Sequence, residues 1–158
     1  MLTRKAGAAS FDADKRTIEI VVSTETPVQQ RGGFIEILSH DPAAVDLSRF
    51  IGAPFLNAHR TGDARDVLGK VIAARVERGK LIATVKLTRR ADAAPIIEDI
   101  ADGIQSSTSA GYAVQEWKRS TDPKTGREVR TATRWRPVEV SLTPIGADPN
   151  SHVRADDW

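Results

Sequence analysis

The sequence predicts a mostly β domain of the α+β class, an antiparallel sheet or barrel with helices packed against it. Three observations carry this expectation. Short β-branched runs separated by turn residues outnumber helical patterns, only two helix-like segments interrupt them, and the strand–helix–strand alternation of a parallel sheet is absent. A chain of 158 residues, 40% of them apolar, builds one core more readily than two.

In chain order, residues 1–14 read as a flexible N-terminal arm, 15–153 as the domain and 154–158 as a C-terminal tail. The first strand is expected over Thr17–Thr24, where Ile18, Ile20 and Val22 recur at the spacing of a half-buried strand. Gly32-Gly33 marks a turn before the apolar residues Phe34, Ile35, Ile37 and Leu38. Asp41-Pro42 suits a helix cap followed by proline at the first helical position, which predicts a short helix to about Phe50. Two β-branched runs around Glu77-Arg78-Gly79 predict a hairpin over 68–88. The stretch ADAAPIIEDIADG predicts the longest helix: Asp92 as cap, Pro95 in the first turn, Ile96, Ile97 and Ile100 as the apolar stripe, Gly103 as the stop. Ser109–Lys118 and Glu128–Trp135 flank Asp122-Pro123-Lys124-Thr125-Gly126, a second hairpin, and a last strand spans Val138–Thr143 before Pro144.

Composition excludes several functions. With no cysteine, the chain has no disulfide, no thiolate metal site and no thiol nucleophile. His40, His59 and His152 are too scattered for a zinc motif, so neither a metal nor another cofactor is expected. No apolar run reaches membrane-spanning length, no secretory signal is legible, and the net charge of +2 makes nucleic acid an unlikely partner for the chain as a whole.

Three positions bear on chemistry. His59 ends the apolar segment PFLNAH, and imidazole is the side chain best suited to exchange a proton near neutral pH; a lone histidine is more often an ordinary loop residue. In QSSTSAGYAV, strand alternation places Ser107, Ser109, Gly111 and Ala113 on one face and Thr108, Ala110, Tyr112 and Val114 on the other. Ser109 therefore sits beside small residues, with Gly111 a point where a substrate backbone approaches; taken alone, the hydroxyls read equally as a polar strand entry. Glu139 shares a face with Ser141 and Thr143, opposite Val138, Val140 and Leu142. An outward-facing carboxylate is the commoner case, and orienting an imidazole is the catalytic one.

As an ordered set, FLNAH, LGKVIAARVERGKLIATVKL, IIEDIADGIQSSTSAGYAV and VEVSLTPIGADPNSHV resemble the prohead (capsid maturation) protease family of tailed bacteriophages, related in fold to the herpesvirus assembly proteases. The resemblance spans roughly residues 15–153. It implies an antiparallel β-barrel of the herpesvirus-protease type with helices around it. It also implies a serine endopeptidase with Ser109 as nucleophile, His59 as base and Glu139 orienting the imidazole. The substrate so implied is scaffold or major capsid precursor, or the chain itself, cleaved inside the immature phage head in the bacterial cytoplasm. The herpesvirus proteases are dimers, which makes a homodimer an expectation here too. Arg60 follows His59 where many members carry aspartate.

A different class of function stays open beside it: a non-catalytic capsid-assembly domain that binds scaffold or nucleic acid. Its best feature is the basic hairpin 115–136, in which Lys118, Arg119, Lys124, Arg127, Arg130, Arg134 and Arg136 are interleaved with Trp117 and Trp135.

Overall fold

A computed structural model of the chain describes residues 10–154. Most of the expected arm, residues 1–9, and the tail from 155 on lie outside the described residues. Nine strands make one sheet: β1 (Thr17–Thr24), β2 (Val28–Gln29), β3 (Ile35–Leu38), β4 (Pro54–Asn57), β5 (Val67–Glu77), β6 (Lys80–Leu87), β7 (Thr108–Thr121), β8 (Glu128–Leu142) and β9 (His152–Val153). Among the described residues a single α-helix, α1 (Ala94–Ala101), follows a 3-10 turn at Ala91–Ala93.

The strand order is β2-β3-β8-β4-β5-β6-β1-β9, with β7 lying on β8. β7 pairs with β8 along its whole length, antiparallel from Thr108↔Leu142 to Thr121↔Glu128. The opposite edge of β8 is therefore divided: Val129–Ala132 takes β3 and Val140–Leu142 takes β4, both in parallel. Where the two partners leave a gap, Val45 bridges Trp135, with Trp135 N–H donating to Ala44 O at 2.9 Å and Asp46 N–H to Trp135 O at 2.9 Å.

These pairings correct the expected fold class. The ladders end at β2 and β9, which do not pair with each other, so the sheet is open and not a closed antiparallel barrel. Hydrogen bonds from Thr108 N to Ser151 O (3.2 Å) and from Val153 N to Ser106 O (2.8 Å) tie β9 to the start of β7 without forming a ladder. One eight-residue α-helix cannot surround a barrel. The helix expected over 42–50 does not form either. Asp41 caps one turn, accepting from Ala43 N–H at 3.0 Å, but the backbone of 44–46 is then drawn into pairing with β8. Tertiary pairing outweighs a good cap, which contributes only about 1 kcal/mol.

Other elements form as patterned. β1 has the expected bounds and buries Ile18, Ile20 and Val22. The β5–β6 hairpin turns on Arg78 and Gly79 at φ 51° and 74°, the left-handed pair of a type I′ turn. α1 buries Ile97 and Ile100 and is stopped by Gly103 at φ 74°, although Asp92 makes no cap bond. The predicted last strand merges with the second hairpin into β8. Pro137, which has no N–H to give a ladder, is accommodated at a bulge: Gly111 faces Glu139 and Tyr112 faces Pro137, leaving Val138 as the extra residue and 42% exposed. Residues from β1, β3, β4, β5, β6, α1, β8 and β9 meet in one core.

Two polar groups pack together in this interior. Trp135 is fully buried, its Nε1–H donating to Ser39 O at 2.8 Å. Its ring meets His40 and Tyr112 edge-on, with centroids 5.3 and 5.8 Å away. His40 is 3% exposed, its Nδ1 bonded to Leu38 O at 2.8 Å and its Nε2 to Ser23 Oγ at 2.8 Å. A carbonyl only accepts, so Nδ1 carries the proton and Nε2 accepts from Ser23 in the neutral ring. Burial, the largest influence, holds the His40 pKa below its ordinary value of 6.5.

The unfolded chain therefore takes up this proton before the folded one. The His40 contribution to stability is complete above pH 6.5 and declines as pH falls from there towards the depressed folded value. Denaturant unfolding followed from about pH 7.5 to about pH 5 should show a falling midpoint, and His40→Gln should flatten the slope in that window. An unchanged slope in the variant would remove His40 as its source.

Candidate functional site

The chain leaves β4 at Asn57 and turns at once. Ala58 and His59 both take positive φ (50° and 59°), and Arg60 N–H closes on Asn57 O at 3.0 Å. Two successive side-chain-bearing residues in the left-handed region cost of order 1–2 kcal/mol each. What holds them there is β8. Ala58 N–H donates to Leu142 O at 2.9 Å and His59 N–H donates to Ser141 Oγ at 3.0 Å. Ser141 Oγ donates in turn to Glu139 Oε2 at 2.7 Å, while His59 Nδ1 donates to Glu139 Oε1. The imidazole side is 43% exposed and the carboxylate 13%. The result is a closed polar clamp between the end of β4 and the face of β8.

Gly111 makes room for this clamp. A Cβ there would lie 2.5 Å from Glu139 Oε1 and 2.8 Å from its Cγ, so the space above Gly111 is filled by the glutamate side chain. Ser109 lies opposite Ser141 in the β7–β8 register. Its hydroxyl makes no hydrogen bond among the described residues, to His59 or to any other group. Ser109 is also one of the residues that border a pocket together with Ala110 and Tyr112. The structure thus joins His59 to Glu139 directly and leaves Ser109 outside their hydrogen-bond network. Ser141, buried and bonded to both, was not singled out from sequence, although its alternation with Glu139 put it on the same face.

The second candidate surface is the β7–β8 hairpin. Residues 115–136 hold seven Lys and Arg against three carboxylates, a formal +4 in a chain of +2. Several guanidinium groups are engaged: Arg119 and Arg130 with Glu128 (3.6 and 3.1 Å), Arg134 with Glu116 (3.4 Å), and Arg130 also 3.9 Å from the Phe34 ring centroid. Lys118 and Lys124 have no ion pair among the described residues. Trp117 is exposed beside them, whereas Trp135 is core and does not belong to the basic face. From Ser109 onward, β7 has no second strand partner among the described residues, so its outer edge offers unpaired backbone groups. Among the same residues no cluster of three or more His, Asp or Glu forms a metal site, and no helix is long and apolar enough to cross a membrane.

Compared with known proteins, the chain is 34% identical over 132 residues to the major capsid protein of Halomonas phage phiHAP-1. The chain is thus similar to part of a phage capsid protein. The match covers 80% of the chain and 21% of that capsid protein, so the chain spans about a fifth of its relative's length. No family model matches, and no solved structure matches. The relative is named for a structural component and not for a hydrolase, which corrects the expectation of an enzyme and of a Ser109–His59–Glu139 endopeptidase.

The clamp has a measurable signature. Gly111→Ala should push the Glu139 carboxylate off His59 and destabilise the domain by about 1–3 kcal/mol, the usual cost of overpacking. Ser141→Ala, which removes a donor to Glu139 and an acceptor for His59 N–H, should cost about as much. Imidazole nitrogen chemical shifts of His59, recorded beside denaturation curves, check both; unmoved shifts in Gly111→Ala would show that the carboxylate tolerates the methyl.

Proposed function

We propose that this chain is a non-catalytic domain of phage capsid assembly, which uses the basic hairpin 115–136 to hold an acidic segment of a capsid or scaffold protein. The carrying observation is the similarity to a major capsid protein over 80% of the chain. The hairpin supplies the chemistry: an unpaired strand edge, an exposed Trp117, and Lys118 and Lys124 left without carboxylate partners. A protein partner fits this better than nucleic acid, because the outer edge of β7 can add a strand and most of the arginines are already engaged within the hairpin. In this reading the His59–Glu139–Ser141 clamp is architectural. It fixes the short parallel β4–β8 pair, only three residues long, on the rear edge of the strand that carries the hairpin. The place of action is the assembling capsid.

An oligoglutamate peptide is a suitable probe. Trp117 fluorescence should report its saturable binding, weakening as salt rises, and Lys118→Glu with Lys124→Glu should reduce affinity about tenfold or more. Ser109→Ala should bind as the parent does and should leave particle assembly intact in the virus that encodes the chain. Arrest of assembly by Ser109→Ala alone would sink the non-catalytic reading, and tighter binding of single-stranded DNA than of the peptide would reassign the partner.

A further inference from the structure

The hairpin leaves unexplained a pocket at the other end of β7. Its apolar wall includes Val22, Leu38 and Ala110, and its polar residues include Glu36, Asp148 and Tyr112. Glu36 is an inward-facing carboxylate, 8% exposed, on a strand whose neighbours Ile35 and Ile37 point the other way. One of its oxygens, Oε1, accepts the Tyr112 hydroxyl; the other, Oε2, has no hydrogen-bond partner among the described residues. Oε2 is not among the sealed, unpartnered polar atoms, so it reaches open space, and the open space Glu36 borders is this pocket. Asp148 is occupied, accepting from the Thr24 N–H and hydroxyl and from the Asn150 N–H. No Lys, Arg or His lines the pocket, so a site bordered by two carboxylates sits in a chain whose net charge is positive.

A carboxylate this deeply buried is costly unless its lone pairs are satisfied. Tyr112 meets half of that need, and desolvation together with the adjoining Glu36 raises the Tyr112 pKa, keeping the phenol a donor. A pocket with an apolar wall, bordered by a carboxylate oxygen without a hydrogen-bond partner, suits a cation on an aliphatic stem. The cavity of ≈ 60 Å³ suits a single side chain. We propose that this pocket binds the ammonium or guanidinium end of a lysine or arginine side chain, carried by an extended segment of a partner protein running along the free edge of β7. Ser109, Ala110 and Tyr112 belong both to that edge strand and to the pocket lining. The proposal stands on the pocket and does not require the basic hairpin to bind anything.

The probe is n-butylammonium, the isolated lysine head and stem, with n-butanol as its uncharged counterpart. Amide chemical shifts of Ser109, Ala110 and Tyr112 should move saturably with butylammonium and respond at least tenfold more weakly to butanol. Glu36→Gln should lower butylammonium affinity at least tenfold while retaining the bond from Tyr112. Should that variant misfold, Ala147→Leu, at an exposed position on the rim, should block the same shifts with Glu36 intact. Equal responses to amine and alcohol, or full affinity in a folded Glu36→Gln, would overturn the proposal.

Discussion

Everything in this molecule hangs on β8 having both of its edges occupied by different partners. A strand of 15 residues is long for its class, and here one edge is committed to β7 throughout. The other edge is shared by β3, the 44–46 backbone and β4, three short segments that are distant in sequence. Isolated four-residue strands have little stability of their own. They persist because β8 presents a ready row of donors and acceptors, and because Trp135 fills the gap between them from the core side. That arrangement also explains the open sheet: with β3 and β4 spent on one edge of β8, the path ends at β2 and does not return to β9.

The same strand sets the polar clamp. Its alternation puts Glu139 and Ser141 on one face, two residues apart, where a side chain following β4 meets both. Backbone strain at Ala58 and His59 is tolerated because four hydrogen bonds converge on that turn. The buried Ser141 hydroxyl, bonded on both sides, is a firm contribution.

How far the sequence could be read follows from the range of each interaction. β1, the β5–β6 hairpin, α1 and the β7–β8 turn announce themselves through local spacing and through Gly79, Gly103 and Gly126, and they form where that spacing places them. The face assignment in β7 holds as well, since Thr108 is buried and Ala110, Tyr112 and Val114 pack on the core. What local pattern cannot convey is competition. Asp41-Pro42 has good capping chemistry and still yields no helix, because Trp135, more than ninety positions on, takes the backbone for itself. Glu36 between two isoleucines looks like a solvated strand position, yet it faces inward because Tyr112 reaches it from another strand. At the candidate site, the resemblance paired His59 with Glu139, whereas the bonds that Ser141 makes to both depend on the β4–β8 pairing.

β7 carries opposite charges at its two ends, and distance decides how they act. Tyr112, at the acidic pocket, and Lys118, in the basic hairpin, are six residues apart, about 20 Å along a strand. Screening at physiological salt reduces charge interactions over roughly 8 Å, so the two ends address solvent independently and neither neutralises the other. A strand edge between them would be read by backbone pairing, which is indifferent to sequence and, by itself, to register. Were a segment to lie along β7 as proposed, charge of opposite sign at the two ends would supply both direction and register: it would meet the Glu36 and Asp148 carboxylates near Ser109 and Lys118 beside Trp117, and inverting it would place like charges together at both ends.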